Sequence, residues 1–447
     1  MRIQLASDVV RRFVPVVAAV CLSTATAVVL TVPSIARAQS TATTRLAGEW
    51  VFQMDGDNQP QRVVLVADRD SVRGQVYGQN FSGTVAGSRL AFRVGDFAWR
   101  GVVTGDSIVG WLGIAPDSSA WKARRFRAPT TARSFTFEPS TFHRAIITTV
   151  TPALRLYPGD TVRTTTVDAG GWGRGAYGDR TNKRSIGGNP LTGPFYIEGA
   201  VPGDVLLVTL HRVRLNRGWA FSGTSLMDNT LEVGYAASRK SENLDNKWTL
   251  DTLAGVARLT TPSNALKDFA VPLRPFLGVV AVAPGGEGTP SSRDSGPWGG
   301  NMEYAQLREG TTLYLPVSTL GAYLYIGDGH AAQGDGELTG DAMETSMDVT
   351  FSVSVKRWGF ADIPRAENAE FIMTLGTGGS VDDAMRHATT DLARWLEKEY
   401  ALSASEAALV MGFAVIYDVP DLVPPFIGVS ARLPKSALRM LRRVPPS

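Results

Sequence analysis

Between residues 45 and 128, short apolar or alternating runs follow one another, each ended by glycine, aspartate or asparagine. The runs occupy residues 62–67, 73–77, 89–94, 99–104 and 107–112. Alternation with a period of two is typical of strands with one buried face and does not suit a helix. The segment is therefore predicted to be a small antiparallel β-barrel or sandwich. Trp50, at its start, is expected to fill one end of a barrel rather than line a ligand pocket.

A β-rich pattern continues after this module, and helices are predicted only near the end of the chain. Residues 128–131 (Ala-Pro-Thr-Thr) read as a linker, and strand-like runs with Gly, Pro and Asp turns follow to about residue 364. Apolar residues at three- and four-residue spacing predict a helix over 381–396, and Ser403 with Glu406 forms a capping box before a second helix. The fold class is therefore mainly β (α+β).

Residues 1–38 have the layout of a secretory signal peptide. An arginine pair, Arg11 and Arg12, precedes an apolar run over 13–32, and Ala-Arg-Ala at 36–38 suits cleavage before Gln39. An uncleaved membrane anchor is the alternative, because the apolar run is long enough to span a bilayer. We expect cleavage, a periplasmic or secreted mature protein, and no stable membrane insertion.

Removal of that leader changes the charge balance of the chain. The chain has 45 Lys and Arg against 42 Asp and Glu, and residues 1–38 hold four of the former and one of the latter, so 41 of each remain. A mature protein without net charge lacks the electrostatic basis for binding nucleic acid. The single cysteine, Cys21, also lies in the leader, which excludes disulfides, thiolate metal ligands and thiol nucleophiles from the mature protein.

His330 stands out among the four histidines of the chain. Residues 327–337 (Gly-Asp-Gly-His-Ala-Ala-Gln-Gly-Asp-Gly-Glu) place one imidazole among three carboxylates, and the glycines let the backbone approach a bound group closely. Imidazole with carboxylates suits zinc or a similar divalent ion, which lowers the pKa of a bound water molecule to about 7. Glu337 could then accept and return the proton. A simple turn or a structural calcium loop remains an alternative interpretation of this pattern.

Other polar residues offer further candidates for a site. Asn301 and Glu303 follow a Gly-Gly pair, and they add an amide and a carboxylate. Asp168 ends a predicted strand beside glycines, although turn formation is the commoner role of an aspartate at such a position. His143 lies in a non-periodic stretch before a strand and could point into a site.

These motifs resemble those of the acetamidase/formamidase family, enzymes that hydrolyse small aliphatic amides to the carboxylate and ammonia. The matching stretches lie in order between about residues 140 and 435, and the longest is 327–337. The others are residues 157–162, 191–200, 202–204, 275–278, 282–284, 299–302 and 433–435. The resemblance implies a β-sandwich core with C-terminal helices over residues 132–437, a homo-oligomer, and metal-assisted amide hydrolysis.

The resemblance also implies which residues form the site. Glu303 departs from the pattern, because relatives usually have aspartate at the corresponding position. The prediction is a divalent ion, zinc, with calcium as a possible second or structural ion, held by His330, Asp168, Glu303 and His143. Asn301 and Glu337 are expected to act on a small amide substrate. The chain is thus predicted to be an exported metal-dependent amide hydrolase; a secreted non-catalytic binding protein on the same scaffold and a hydrolase of larger amides are the alternatives.

Overall fold

The first part of the folded chain is a closed antiparallel barrel. The computed structural model describes residues 46–444 except 57–58, 115–116, 241, 243 and 287, so the predicted leader lies outside the described residues. Each barrel strand pairs with the next, and the eighth closes on the first. The strands are β1 (Gly48–Met54), β2 (Gln61–Asp68), β3 (Ser71–Val76), β4 (Gln79–Ala86), β5 (Arg89–Val94), β6 (Phe97–Thr104), β7 (Ser107–Ile114) and β8 (Asp117–Arg125).

Aromatic rings fill the interior of this barrel. Trp121 stacks on Phe52 with ring centroids 5.1 Å apart, and Phe92 stacks on Trp99 at 5.4 Å. Trp50 is fully buried, and its indole nitrogen donates to the carbonyl of Leu46 at 2.9 Å. Buried and exposed residues alternate along β5, where Leu90, Phe92 and Val94 are buried, as the period of two predicts.

The remaining strands form two sheets. The eleven-stranded sheet contains β10 (Leu154–Leu156), β12 (Leu191–Ile197), β14 (Trp219–Phe221), β15 (Lys247–Asp251), β16 (Val256–Leu259), β17 (Val271–Pro272), β18 (Phe276–Ala281), β19 (Ser295–Gly296), β20 (Gly299–Asn301), β22 (Leu324–His330) and β23 (Glu344–Thr345). The nine-stranded sheet contains β9 (Ser134–Thr136), β11 (Thr161–Thr165), β13 (Val205–Leu215), β21 (Thr312–Pro316), β24 (Met347–Lys356), β25 (Arg365–Glu367), β26 (Phe371–Gly378), β27 (Ile416–Asp421) and β28 (Ile427–Pro434).

The two sheets pack face to face as a sandwich. The order in the larger sheet is β17-β16-β15-β14-β23-β22-β18-β20-β19, with β12 also paired to β22 and β10 paired to β12; the smaller sheet runs β27-β28-β26-β25-β21-β13-β24-β11-β9. Side chains of both sheets form one buried cluster, in which Phe195 of β12 packs against Phe351 of β24 with ring centroids 5.2 Å apart. This core fixes the strand ends on which the polar residues described below are carried.

Helices cover the outer face of the smaller sheet near its end. The helix Val381–Tyr400 begins at the predicted cap Ser380, and it buries Leu392 and Trp395 against β26 and β28. The helix Ala404–Ala414 follows with the predicted Ser403–Glu406 capping box, while Val233–Ser238 and Lys435–Leu438 are short. The mainly β fold with an N-terminal barrel, a sandwich core and C-terminal helices is thus confirmed. Within the described ranges, every helix is too short or too polar to cross a bilayer.

A buried arginine joins the barrel to the sandwich. Arg62 of β2 pairs with Glu49 of the barrel and with Asp204 of the sandwich, and it donates to the carbonyl of Gly199 at 2.6 Å. Glu49 in turn pairs with Arg357 of the sandwich at 2.6 Å. Because Arg62 is only 7% exposed, its own bonds are shielded from water and salt, and they fix the barrel against the core.

Candidate active site

The acidic residues of the site lie where strands of the larger sheet end. His330 is the last residue of β22, and it pairs across the ladder with Glu344, the first residue of β23. Asp328 lies two residues before His330 on β22, Glu303 lies just after β20, and Glu337 ends the short 3-10 turn Asp335–Glu337. The adjacent strands β20, β18, β22 and β23, together with this 3-10 turn, thus bring one imidazole and four carboxylates together.

The imidazole of His330 is fully buried and has carboxylates on both of its sides. Its Nδ1 lies 3.2 Å from Oε2 of Glu303, and its Nε2 lies 3.1 Å from Oε1 of Glu344 and 3.6 Å from Oδ1 of Asp328. Two groups of side chains have ligand atoms within 4.8 Å of one another: Glu303, Asp328 and His330, and His330, Glu337 and Glu344. Both groups contain His330, so the cluster offers ligands to a cation from several directions.

Several of these buried atoms lack a hydrogen bond. Within the described part of the chain, Oε2 of Glu303, Oδ1 of Asp328, Nε2 of His330 and Oε2 of Glu344 have no partner of acceptable geometry. A buried polar atom without a partner costs about 1–3 kcal/mol, and more when it is charged. The donor set of imidazole nitrogen and carboxylate oxygen is the one that zinc and related divalent ions bind. The cluster therefore fits a metal ion, as the sequence predicted for His330.

The pKa values of Glu303, Glu337, Glu344 and His330 are all raised. Burial raises the pKa of Glu303 and of Glu337 well above its usual range, with their neighbouring carboxylates adding to the effect. Burial also raises the pKa of Glu344 to about 7. Burial alone would lower the pKa of His330, but the surrounding carboxylates Glu344 and Glu303 outweigh it and raise that pKa well above its usual value. The site therefore favours added positive charge.

Unusual backbone conformations aim the carboxylates inward. Glu303, Asp328 and Glu337 all have positive φ, at 51°, 57° and 45°, which is uncommon for residues with a side chain. Such strain is often found at functional sites. Gly278 of β18 makes room beside them, since a Cβ there would lie 2.7 Å from Oε2 of Glu303 and 3.0 Å from Cε1 of His330.

The cluster borders a polar cavity of about 540 Å³, which Asn301 also lines. Asn189 donates from Nδ2 to Oδ1 of Asn301 at 3.0 Å and to Oδ2 of Asp328 at 2.7 Å. Because Oδ1 of Asn301 accepts this bond, its amide NH₂ remains as a donor for a ligand in the cavity. A second cavity, of about 500 Å³ and mostly apolar, lies on the other side of Glu337 and Asp341, which border both.

Asp168 and His143 lie outside the cluster around His330. Asp168 is fully buried in an ion pair with Arg217 at 2.6 Å, and its other oxygen accepts from the backbone N–H of Trp172 at 2.9 Å. His143 forms a backbone bridge with Leu191, and it borders a separate cavity that shares Gly188, Ser291 and Arg293 with the polar one. Neither belongs to the groups of possible ligands found among the described residues. Their role as metal ligands stays a prediction.

Sequence reasoning missed several residues of the site. Glu344 is a buried acid between Met343 and Thr345, and its place directly before the alternating run that begins at Thr345 was the available signal. Arg217 donates to the carbonyl of Glu344 at 3.1 Å as well as to Asp168, so the Asp168 pair supports the strand that carries Glu344. The residues around Asn189 in the sequence do not indicate its role, because Asn189 contacts Asn301 and Asp328, which are distant in sequence.

Comparison with known proteins assigns the chain to a family. A sequence profile of the acetamidase/formamidase family matches residues 132–294 and 289–393, which together are more than half of the chain. The chain therefore belongs to the acetamidase/formamidase family, and the resemblance noted from its motifs is confirmed. The barrel, β1–β8, precedes the matched residues.

Individual relatives agree with this assignment. A Schizosaccharomyces pombe protein named "putative formamidase" is 26% identical, with 39% of this chain covered; the chain spans about half of that relative, 53% of its length. The crystal structure of a predicted acetamidase/formamidase from Thermoanaerobacter tengcongensis has a TM-score of 0.60 and 26% identity, covering 69% of this chain and 98% of that one. The acetamidase of Yersinia enterocolitica has a TM-score of 0.58 and 27% identity, covering 70% and 94%.

Proposed function

We propose that the protein hydrolyses small linear amides to the carboxylate and ammonia with the help of a divalent ion. The observation that carries this proposal is the cluster of His330 with Glu303, Asp328, Glu337 and Glu344. Several of its buried nitrogen and oxygen atoms lack hydrogen-bond partners among the described residues, and the cluster borders a cavity. Membership of the acetamidase/formamidase family supports the reaction type.

The residues present define the parts that each group would play. A bound divalent ion, of which zinc suits the donors best, would polarise the amide carbonyl and lower the pKa of a water molecule. Asn301 would donate its free amide to the oxygen on which negative charge develops. Glu337, which borders the cavity, would accept a proton from water and transfer it to the departing ammonia.

The test is ammonia release by the purified, metal-loaded protein from formamide, acetamide and a wider amide panel. We expect turnover that a strong chelator removes and that His330→Ala abolishes, with elemental analysis reporting the ion. Absence of ammonia release from every amide, with His330→Ala behaving like the wild type, would contradict the proposal. Tight retention of an amide without turnover would instead favour the non-catalytic binding protein.

A hydrolase of larger amides is the second candidate, and the apolar cavity favours it. Trp248, Phe269 and Met343 line this cavity, and Glu337 belongs to both cavities. Acetamide alone would leave this volume unused, whereas an apolar acyl group could occupy it. We expect phenylacetamide to have a higher kcat/KM than acetamide, and Trp248→Ala to reduce only the former. Equal effects on both substrates would argue against this candidate.

Export and assembly are also part of the proposal. The arginine pair, apolar run and Ala-Arg-Ala sequence of residues 1–38 support cleavage and release to the periplasm or the medium. N-terminal sequencing of the protein recovered there should begin at Gln39. A homo-oligomer is supported by Leu409 and Phe413 of the helix Ala404–Ala414, which are 64% and 89% exposed. Light scattering should give a mass above that of one chain.

A further inference from the structure

The orientation of one side-chain amide determines which nitrogen of His330 carries a proton. The Nε2 of Gln333 donates to the carbonyl of Glu303 at 2.9 Å and to the carbonyl of Pro420 at 3.0 Å. Carbonyl oxygens only accept hydrogen bonds, so the NH₂ group of Gln333 must face them. Its Oε1 then faces Nδ1 of His330, at 3.0 Å. Because this oxygen can only accept, Nδ1 must donate.

We infer that Gln333 is a positioning residue that holds His330 with a proton on Nδ1 and leaves Nε2 as the nitrogen that binds a divalent ion. The inference rests on the proposed function only for the presence of an ion. Nε2 has no hydrogen-bond partner among the described residues, whereas Nδ1 has Gln333. The bond made by one imidazole nitrogen sets which nitrogen is free for a metal.

This assignment separates the carboxylates around the ring. Glu344 and Asp328 lie on the Nε2 side, at 3.1 and 3.6 Å, and each has an oxygen without a partner. Glu303 lies on the Nδ1 side, at 3.2 Å, where the proton already points to Gln333. The structure therefore places Glu344 and Asp328 beside the nitrogen that binds the ion, whereas Glu303 lies beside the nitrogen that carries the proton.

Variants of Gln333 separate positioning from folding. Gln333→Leu removes the acceptor, and we expect zinc affinity to fall about 10–100-fold, as for other residues that orient a metal-bound histidine. Gln333→Glu keeps an oxygen opposite Nδ1, so it should restore most of that affinity although it cannot donate to the two carbonyls. Gln306→Leu is the matched control, since this half-buried amide accepts from Asn368 instead of a histidine, and it should leave zinc affinity unchanged.

Nuclear magnetic resonance reads the proton position directly. The protein labelled with ¹⁵N-histidine is loaded with ¹¹³Cd²⁺, and the nitrogen that couples to cadmium identifies the ligand atom. Only four histidines occur in the sequence, so His143→Asn, His211→Asn and His387→Asn assign the signals by elimination. We expect coupling to Nε2 of His330, and a proton on its Nδ1 in the wild type and in Gln333→Glu. Zinc affinities come from competition with a chelator.

The outcomes distinguish this inference from the proposed function. Cadmium coupling to Nδ1, unchanged zinc affinity and proton position in Gln333→Leu, or failure to bind either ion would each overturn the inference. Gln333→Glu keeps the test valid if the leucine variant does not fold, because loss of the Nδ1 proton there would also contradict the inference. Coupling to Nε2 without ammonia release from any amide would reject the proposed function and leave the inference standing.

Discussion

The barrel and the sandwich are built from similar alternating strands, yet they bury different kinds of side chain. Within the described residues of β1–β8, Arg62 is the one charged residue that is buried, and it faces the sandwich. The edge of the sandwich near His330 instead buries several carboxylates beside a cavity. Burial of charge without a partner is costly, so the barrel is a module built for stability and the sandwich edge is built for binding.

Positive φ angles show the same contrast. In the barrel they fall largely at turn glycines such as Gly87 and Gly105, where an added Cβ would meet nothing within 4 Å. In the sandwich, acids of the site, Glu303, Asp328 and Glu337, adopt this conformation inside the protein. In the barrel, positive φ angles thus serve turns between regular strands. In the sandwich, they orient the carboxylates of the site.

The largest expected effect is a loss of activity at the site without a loss of stability. Glu337→Gln should lower kcat for amide hydrolysis by about 10²–10⁴-fold, because the proton acceptor is lost. The unfolding free energy of the metal-free protein should not fall, since a buried acid is replaced by a neutral group of similar size. Asp335→Asn is the control, because this neighbour lines only the apolar cavity. Similar kcat values for both variants would remove Glu337 from the mechanism.

The barrel should respond in the opposite way. Trp121→Ala empties space between Phe52 and Trp99 and should destabilise the barrel by about 3–5 kcal/mol. Hydrogen exchange should accelerate in peptides of β1–β8, while peptides of β22 and the affinity for zinc stay close to the wild type. Equal acceleration in both regions would show that the barrel and sandwich unfold as one unit.

A single methyl group in the sandwich tests how closely the site is packed. Gly278→Ala places a Cβ 2.7 Å from a carboxylate oxygen of Glu303, so the site must shift, at a cost of about 1–3 kcal/mol. Zinc affinity and unfolding free energy should both fall. Gly379→Ala is the matched control, because its Cβ would meet nothing within 4 Å, and it should change neither quantity. No difference between the two variants would show that the cluster is loosely packed.

Local patterns predicted the elements of the fold but only part of the site. The alternating runs and the helix caps Ser380 and Ser403 depend only on residues close in sequence. The sequence therefore predicts these strands and helices. His330 and Glu337 share one glycine-rich loop, and they were found by the same local logic. Glu344 lies beside His330, and Asn189 bonds Asp328, because strands from separate segments pair with each other. The spacing of residues along the sequence does not encode these contacts.

The smallest expected effect compares the stability contributed by one ion pair from each region, with pH varied for the pair in the sandwich. Burial alone would raise the pKa of Asp160 in the sandwich, but Arg133 and backbone N–H groups outweigh it and lower that pKa. A lowered folded pKa gives stability that is present above the unfolded pKa, about 3.9, and lost as pH falls through the folded value. Asp160→Asn should therefore cost on the order of 1 kcal/mol at pH 7, and this difference from the wild type should shrink below about pH 4.

The barrel provides the matched pair. Asp106 bonds Arg127 at 2.8 Å, but both side chains are about half exposed or more, and such pairs contribute about 0–1 kcal/mol. Asp106→Asn should therefore change urea unfolding less than Asp160→Asn at pH 7. If the two variants change urea unfolding by the same amount at pH 7, the backbone bonds to Asp160, at 2.7 Å from Tyr157 and 2.8 Å from Arg133, do not add the stability assigned to them. The ion pair of the buried Asp160 would then stabilise the protein no more than the exposed pair of the barrel does.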